Sequence, residues 1–269
     1  MTAWLEDERV RKISFTGSTG VGRQLLGQAA DRVVNTSMEL GGNAPFVVGP
    51  DADVAAAVEG AMLAKFRNGG QACTAANRFY VHADVVDDFV ARFGAEIEAL
   101  SVGPAFEDHQ IGPLITAKAR TKVVELLDQA TAVGATVSHR SAAPDGPGHF
   151  HPAVLVTDVP PDAQLLAEEV FGPVAPVVTW TSDDEVVALV NGTEFGLSAY
   201  VFGSLGWALP FAERIDAGMV GVNRGLVSDP AAPFGGVKQS GIGREGSREG
   251  IREYQETQYF SVDWPASQQ

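Results

Sequence analysis

Cysteine is almost missing from this chain: among 269 residues, Cys73 alone carries a thiol. One thiol excludes an internal disulfide framework and a thiolate zinc cluster, and it fits a reducing compartment. Long apolar runs are also missing, since no stretch approaches the roughly 20 residues a membrane-spanning helix needs. The opening MTAWLEDERVRKISF has no apolar core behind a basic end, so no signal peptide is read there, and a cytoplasmic setting is expected. Positive charge is scarce, with 19 Lys and Arg against 34 Asp and Glu, for a net charge of −15. A surface this acidic repels phosphate backbones and anionic bilayers, which argues against nucleic acid and membranes as partners. What is present is ordinary α/β material: 45 % hydrophobic residues, 20 % charged, 30 Gly and 15 Pro. The length allows one large domain or two smaller ones, each with its own core.

Strand-like and helix-like stretches alternate along the chain. Residues 12–16 (KISFT) read as a short buried strand ending in a glycine-rich turn, GSTGVG, and a helix through Val34 follows. Residues 37–40 and 45–48 read as strands about a Gly41-Gly42 turn. The Ala-rich stretch 53–66 reads as a helix, with Asp51 and Asp53 suited to its start. Strands are expected at 78–82, 136–139, 153–156, 174–180, 199–202 and 219–222. Helices are expected at 85–100, 116–133, 183–191 and 206–217. The alternation predicts an α/β fold built on a largely parallel sheet. Residues 252–263 (REYQETQYFSVD) alternate in the manner of an edge strand that adds to a partner's sheet.

Five stretches could carry chemistry. Cys73 lies just beyond the 53–66 helix, among Gly69, Gly70, Ala72 and Ala75, small residues that admit a substrate. A lone cysteine is as often an idle buried hydrophobe as a nucleophile, and both readings stand for Cys73 taken alone. Glu39 is an acid in an apolar strand, either capped for structural reasons or a base tuned by burial. The Gly17–Gly22 turn is G-x-x-G-x-G, not the G-x-G-x-x-G fingerprint, and it lacks a Walker lysine. It can serve phosphate at a helix start or be a plain tight turn. Glu168-Glu169-Val170-Phe171-Gly172-Pro173 reads most simply as a helix end turning into a strand. The loop Pro233–Arg244 is rich in glycine around Lys238, Gln239 and Ser240, as site-lining loops often are. His149 and His151 do not fit an H-E-x-x-H spacing, so no metal site is read.

In their order, FTGSTGVG (15–22), MELGGNAPFVV (38–48), FRNGGQACTAANR (66–78), EEVFGPV (168–174) and PFGGVKQSGIGREG (233–246) resemble the aldehyde dehydrogenase superfamily. The resemblance runs from about Arg9 to Tyr259, and residues 221–254 are most similar to succinate-semialdehyde dehydrogenases. It implies an aldehyde dehydrogenase-like α/β fold. Residues 1–41 would be a remnant of a Rossmann-type cofactor domain and 42–241 a catalytic domain. Residues 242–269 would return to the cofactor domain and end in an oligomerisation strand. It further implies that Cys73 attacks the aldehyde, forming a thiohemiacetal and then a thioester, and that Glu39 activates the water that hydrolyses it. Gly17, Ser18, Leu40, Glu169 and Phe171 would contact NAD or NADP. Arg67 and Ser228 would grip the distal carboxylate of succinic semialdehyde, although for Arg67 a helix-end cation facing carbonyls is the plainer role. Ala75 stands where some relatives carry a second cysteine, so a disulfide switch within the chain is excluded.

The resemblance also implies that the chain is roughly the second half of such an enzyme. The residues that hold the adenosine ribose and the oxyanion-hole asparagine would then lie outside it. The expected activity is oxidation of a small aldehyde, succinic semialdehyde to succinate, in a homo-oligomer. The alternatives are a broader-range or glutarate-semialdehyde enzyme, or a truncated or split half that needs a complementary N-terminal half.

Overall fold

The computed structural model describes residues 2–264. After a short helix α1 (Thr2–Glu6), β1 (Lys12–Thr16) leads through Gly17 and Ser18 into α2 (Thr19–Ala30). α2 stops earlier than expected. Val33 takes a left-handed backbone with φ of 55°, which breaks the helical path before β2 (Asn35–Glu39) begins. β3 (Ala44–Val48) follows, then α3 (Val54–Phe66), whose N-terminal cap is Asp53. The Asp53 side chain accepts from the N–H groups of Ala55 and Ala56. Beyond the Cys73 loop come β4 (Ala76–His82), α4 (Val86–Ala99) and α5 (Ala117–Ala132). β5 (Thr136–Arg140), β6 (Val154–Thr157), α6 (Gln164–Ala167), β7 (Val174–Trp180) and α7 (Asp183–Asn191) complete the middle of the chain.

The last stretch carries β8 (Phe195–Gly196), β9 (Ser198–Phe202), α8 (Leu205–Ala212), β10 (Met219–Val222), β11 (Val237–Lys238), β12 (Gly241–Ile242) and α9 (Ser247–Arg252). α8 is shorter than the 206–217 helix expected. It contains Pro210, and its end tightens into i→i+3 bonds, Arg214 N–H to Phe211 O and Ile215 N–H to Ala212 O. Residues 253–264 form no strand in the single chain. A strand requires a ladder partner, and no described strand pairs with this segment; Tyr259, Phe260, Val262 and Trp264 are exposed.

Among the described residues the largest sheet has seven strands in the order β10-β9-β3-β4-β7-β6-β5. Every neighbouring pair in it is parallel except β5 with β6. Its central strands are buried on both faces, β3 and β9 as mostly apolar runs and β4 with Asn77 and Arg78 buried beside its apolar residues, as a sheet covered by helices on two sides requires. The second sheet, β1-β2-β12, is small and packs Ile13 and Met38 with Leu25 and Ala29 of α2. Gly41 and Gly42 therefore do not form a hairpin between two paired strands. β2 and β3 belong to different sheets, and the two glycines carry the chain from one to the other. No helix among the described residues is long and apolar enough to cross a membrane.

Candidate active site

Where the two sheets meet lies a cavity of about 380 Å³. Gly17, Ser18, Glu39, Leu40, Cys73, Glu169 and Phe171 all line it, so seven of the nine residues singled out from sequence share one cleft. Thr16, Gly41, Gln71 and Ala72 complete the wall. Arg67 and Ser228 do not line it. Arg67 is exposed, its guanidinium 3.5 Å from Thr74 Oγ1, and Ser228 lines a separate surface hollow with Arg224.

The Cys73 loop is shaped by backbone geometry. Asn68, Gly69 and Gly70 all have positive φ, and the Asn68 side chain donates to Gln71 O at 2.8 Å. At Gly70 only glycine fits, because a Cβ would run into the carbonyl of Gly172, just before β7. Gly42 is equally confined, packed against the carbonyl oxygen of Cys73 itself. Cys73 is half-buried, and its thiol is pushed above the ordinary range first by burial and then by the charges of Glu169 and Glu39. In the resting site the sulfur is thus held as a thiol.

Glu39 ends β2 and is 4 % exposed. Its main chain is fixed on both sides. Gly17 N–H donates to Glu39 O at 3.0 Å, and β12 pairs with β2 opposite Glu39 and Met38. Its carboxylate Oε2 is buried with no hydrogen-bond partner. Burial pushes this acid up to about 8, Glu245 adds to the rise, and Arg244 opposes it. An acid with a buried, unpartnered oxygen and a midpoint near working pH is suited to proton transfer.

Glu169 follows α6, at the helix-to-strand turn expected there. Its Oε1 accepts the N–H of Gly42 at 3.1 Å, while Lys122 Nζ donates to its backbone carbonyl at 2.7 Å. Burial raises its carboxyl as well, against the Gly42 bond and the charges of Lys122 and Lys65. Phe171 sits beside it with a left-handed backbone, φ of 51°. On the opposite wall Ser18 precedes α2, and its side chain makes no capping bond. The first N–H groups of α2 have no intrahelical acceptor, and the first turn holds no acidic residue. A helix start of this kind suits a phosphate group, and Glu169 offers an acceptor for sugar hydroxyls. The cleft therefore offers one place suited to a phosphate and one suited to a sugar hydroxyl, as one end of a dinucleotide would need.

Sequence reasoning assigned no role to two residues that brace this site. Ser240 is fully buried; its hydroxyl donates to Gly41 O at 2.7 Å and accepts from Gly196 N–H at 2.9 Å. Arg78, also buried, donates to Asn43 O, Leu189 O and Val190 O, so it fastens β4 to the start of β3 and the end of α7. The glycine-rich setting of Ser240 was visible; its partners, far along the chain, were not. The histidine pair separates in role, with His151 buried and its Nδ1 2.7 Å from Pro152 O. Among the described residues no three His, Cys, Asp or Glu side chains gather in a way that could hold a metal ion.

Residues 1–260 match the model of the aldehyde dehydrogenase family, and the chain belongs to that family. It is 51 % identical over 263 residues to a succinate-semialdehyde dehydrogenase of Paenarthrobacter nicotinovorans, covering 97 % of this chain and 58 % of that protein. It is 48 % identical to a glutarate-semialdehyde dehydrogenase of Pseudomonas aeruginosa, covering 94 % of this chain and 53 % of that one. The solved structure of an NADP-dependent enzyme of Escherichia coli superposes with a TM-score of 0.91 at 44 % identity, covering 94 % of this chain and 53 % of its own. The chain thus spans little more than half the length of these relatives.

Proposed function

We propose that the chain carries the nucleophile and the base of an NAD(P)-dependent aldehyde dehydrogenase that converts succinic semialdehyde to succinate. The observation that carries this reading is the convergence of Cys73, Glu39 and Glu169 on one cleft beside the open start of α2. Cys73 gives its thiol proton to the ionised Glu39 carboxylate, which passes it to solvent, and Sγ attacks the aldehyde carbon; the developing oxyanion is held in part by the Cys73 N–H. NAD or NADP, held by Gly17, Ser18, Leu40, Glu169 and Phe171, supplies the hydride acceptor when bound. Glu39 then takes a proton from the water that attacks the thioester carbon, freeing the acid and restoring the thiol. Because Glu39 titrates at about 8, the deacylating rate should climb with pH up to that value.

The semialdehyde substrate is supported by the names of the two relatives; Arg67, whose planar guanidinium suits a carboxylate, is assigned to the substrate's distal end although it stands outside the cleft in the single chain. Ser228 is assigned to the same carboxylate, and glutarate semialdehyde is the competing substrate. The division into 1–41, 42–241 and 242–269 is supported by the passage from one sheet to the other at Gly41-Gly42 and back at Gly241. The exposed aromatic tail supports a homo-oligomer. The second reading is a half that turns over only beside a complementary N-terminal half, and the covered length favours testing it.

Purified chain is assayed with succinic or glutaric semialdehyde and NAD or NADP, with Cys73→Ala as control. Reduced cofactor that appears only with Cys73 present is the expected result. Electrophile labelling at Cys73 without turnover would favour the incomplete half. A folded chain with no labelling at Cys73 would remove the nucleophile.

A further inference from the structure

Gln71 lies two residues before the thiol, with open space on both sides. It lines the cleft with Cys73, and it lines a neighbouring hollow of about 500 Å³ with Asn68, Pro113, Ile115, His149 and Phe171. Between two cavities close packing cannot fix a side chain, so hydrogen bonds must. The Gln71 carboxamide has two. Ile115 N–H donates to Oε1 at 2.9 Å, and Nε2 donates to Pro113 O at 3.4 Å, so the amide pairs with that main chain as a peptide group would. The Pro113–Ile115 segment is tied down in turn, because Leu114 N–H donates to His149 O at 3.0 Å. The main chain of Gln71 is held as well, its N–H on Asn68 O at 3.1 Å and its carbonyl accepting from Asn68 Nδ2 at 2.8 Å. On the other side of the thiol, the Tyr200 hydroxyl donates from β9 to Thr74 O at 2.8 Å. Cys73 is thus flanked by two side-chain ties to distant parts of the chain, and the Gln71 tie is the one that borders the hollow.

We propose that Gln71 is a positioning residue of the active site: its carboxamide, paired with Pro113 and Ile115, holds the Cys73 loop at the cleft wall and away from the hollow. This role rests on the reading of Cys73 as the nucleophile. It has a chemical consequence. Burial is the first cause of the raised Cys73 thiol, ahead of the charges of Glu169 and Glu39. The groups facing Sγ are those two acids and the N–H groups of Cys73 and Thr74, so the Gln71 tie can be cut without removing any of them. A loop released from the tie opens toward the hollow, water reaches Sγ, and the thiol returns toward its ordinary range.

The test is the rate of alkylation by iodoacetamide, a neutral electrophile, against pH in the full chain, Gln71→Met and Gln71→Glu, with thermal melting as the fold control. The chain has one thiol, so the rate reports on Cys73 alone. Gln71→Met keeps the length and loses both bonds. Its alkylation midpoint should move to lower pH, with about threefold more thiolate at pH 7. Gln71→Glu keeps an acceptor for Ile115 N–H and adds negative charge to the cleft wall, so its midpoint should move to higher pH. A residue that only supported the fold would lower the melting temperatures and leave both midpoints in place. An unmoved midpoint in folded Gln71→Met, or a fall in both variants, overturns the proposal. Should Gln71→Met not fold, amide exchange in the unmodified chain decides. Ile115 is 78 % exposed, so its N–H owes its protection to Gln71, and free exchange there overturns the tie. A Cys73 that no folded sample alkylates brings down the nucleophile and this role with it, whereas a labelled Cys73 with unmoved midpoints brings down Gln71 alone.

Discussion

The two sheets that enclose the cleft are built to different standards. In the seven-stranded sheet β3 and β9 are buried along their whole length, and Phe46 stacks at 4.9 Å on Phe202 and packs at 5.2 Å on Phe79. In the three-stranded sheet β1 buries Ile13 alone, and one small cluster with Leu25 and Met38 holds α2. Cys73 and Glu169 belong to the side with the large core, Glu39 and Ser18 to the side with the small one. The nucleophile is thus carried by the more rigid half, whereas the base and the helix start ride on the more easily opened half.

Core truncations should widen that contrast most. Phe46→Ala is expected to cost about 3–5 kcal/mol and to lower the melting temperature of the whole chain. Leu25→Ala, at about 2–4 kcal/mol, should act locally, raising amide exchange in β1, α2 and β2 while β3, β4 and β9 stay protected. Equal loss of protection in both sheets after Leu25→Ala would mean that they open as one unit.

The next effect depends on pH. Glu39 has a folded midpoint of about 8 against an ordinary 4.5, so between these values the folded state holds a proton that the unfolded state has released. Stability contributed by this group is full below about 4.5 and falls as pH rises toward 8. Glu39→Gln should melt like the parent near pH 4.5 and gain on it steadily up to pH 8. A gap that is constant with pH would show that burial does not tune this acid. The smallest effect concerns the surface tie from the small sheet's helix, Arg23 to Glu194 at 2.9 Å, with both side chains more than half exposed. Arg23→Ala should cost under about 0.5 kcal/mol and less in salt, as measured by urea titration at two ionic strengths.

The same contrast sorts what could be read from the sequence. Strand β7 and helix α7 stand at the residues expected, because an apolar run and an acid-led periodic stretch are local signals. Cys73 and Glu39 were legible for a chemical reason, a thiol among glycines and an acid in an apolar strand. Lys65 was not, since in an Ala-rich helix a lysine is expected to reach solvent, and here it points inward. β11 and β12 span two residues each, too short for any period to register. The tail from 253 alternates like a strand, but alternation supplies no partner to pair with.

One consequence follows from the two places where the chain passes between the sheets. The outward path at Gly41 and the return at Ser240 run side by side. They are stitched by Leu40 N–H to Ser240 O at 2.9 Å and by the Ser240 hydroxyl to Gly41 O at 2.7 Å. A single connecting strand would act as a swivel, free to turn in any direction. Two strands sewn together behave as a strap hinge, which bends about one axis and resists twisting. Glu39, one residue before Leu40, is therefore held at the seam of the two sheets by both crossings together and not by one alone.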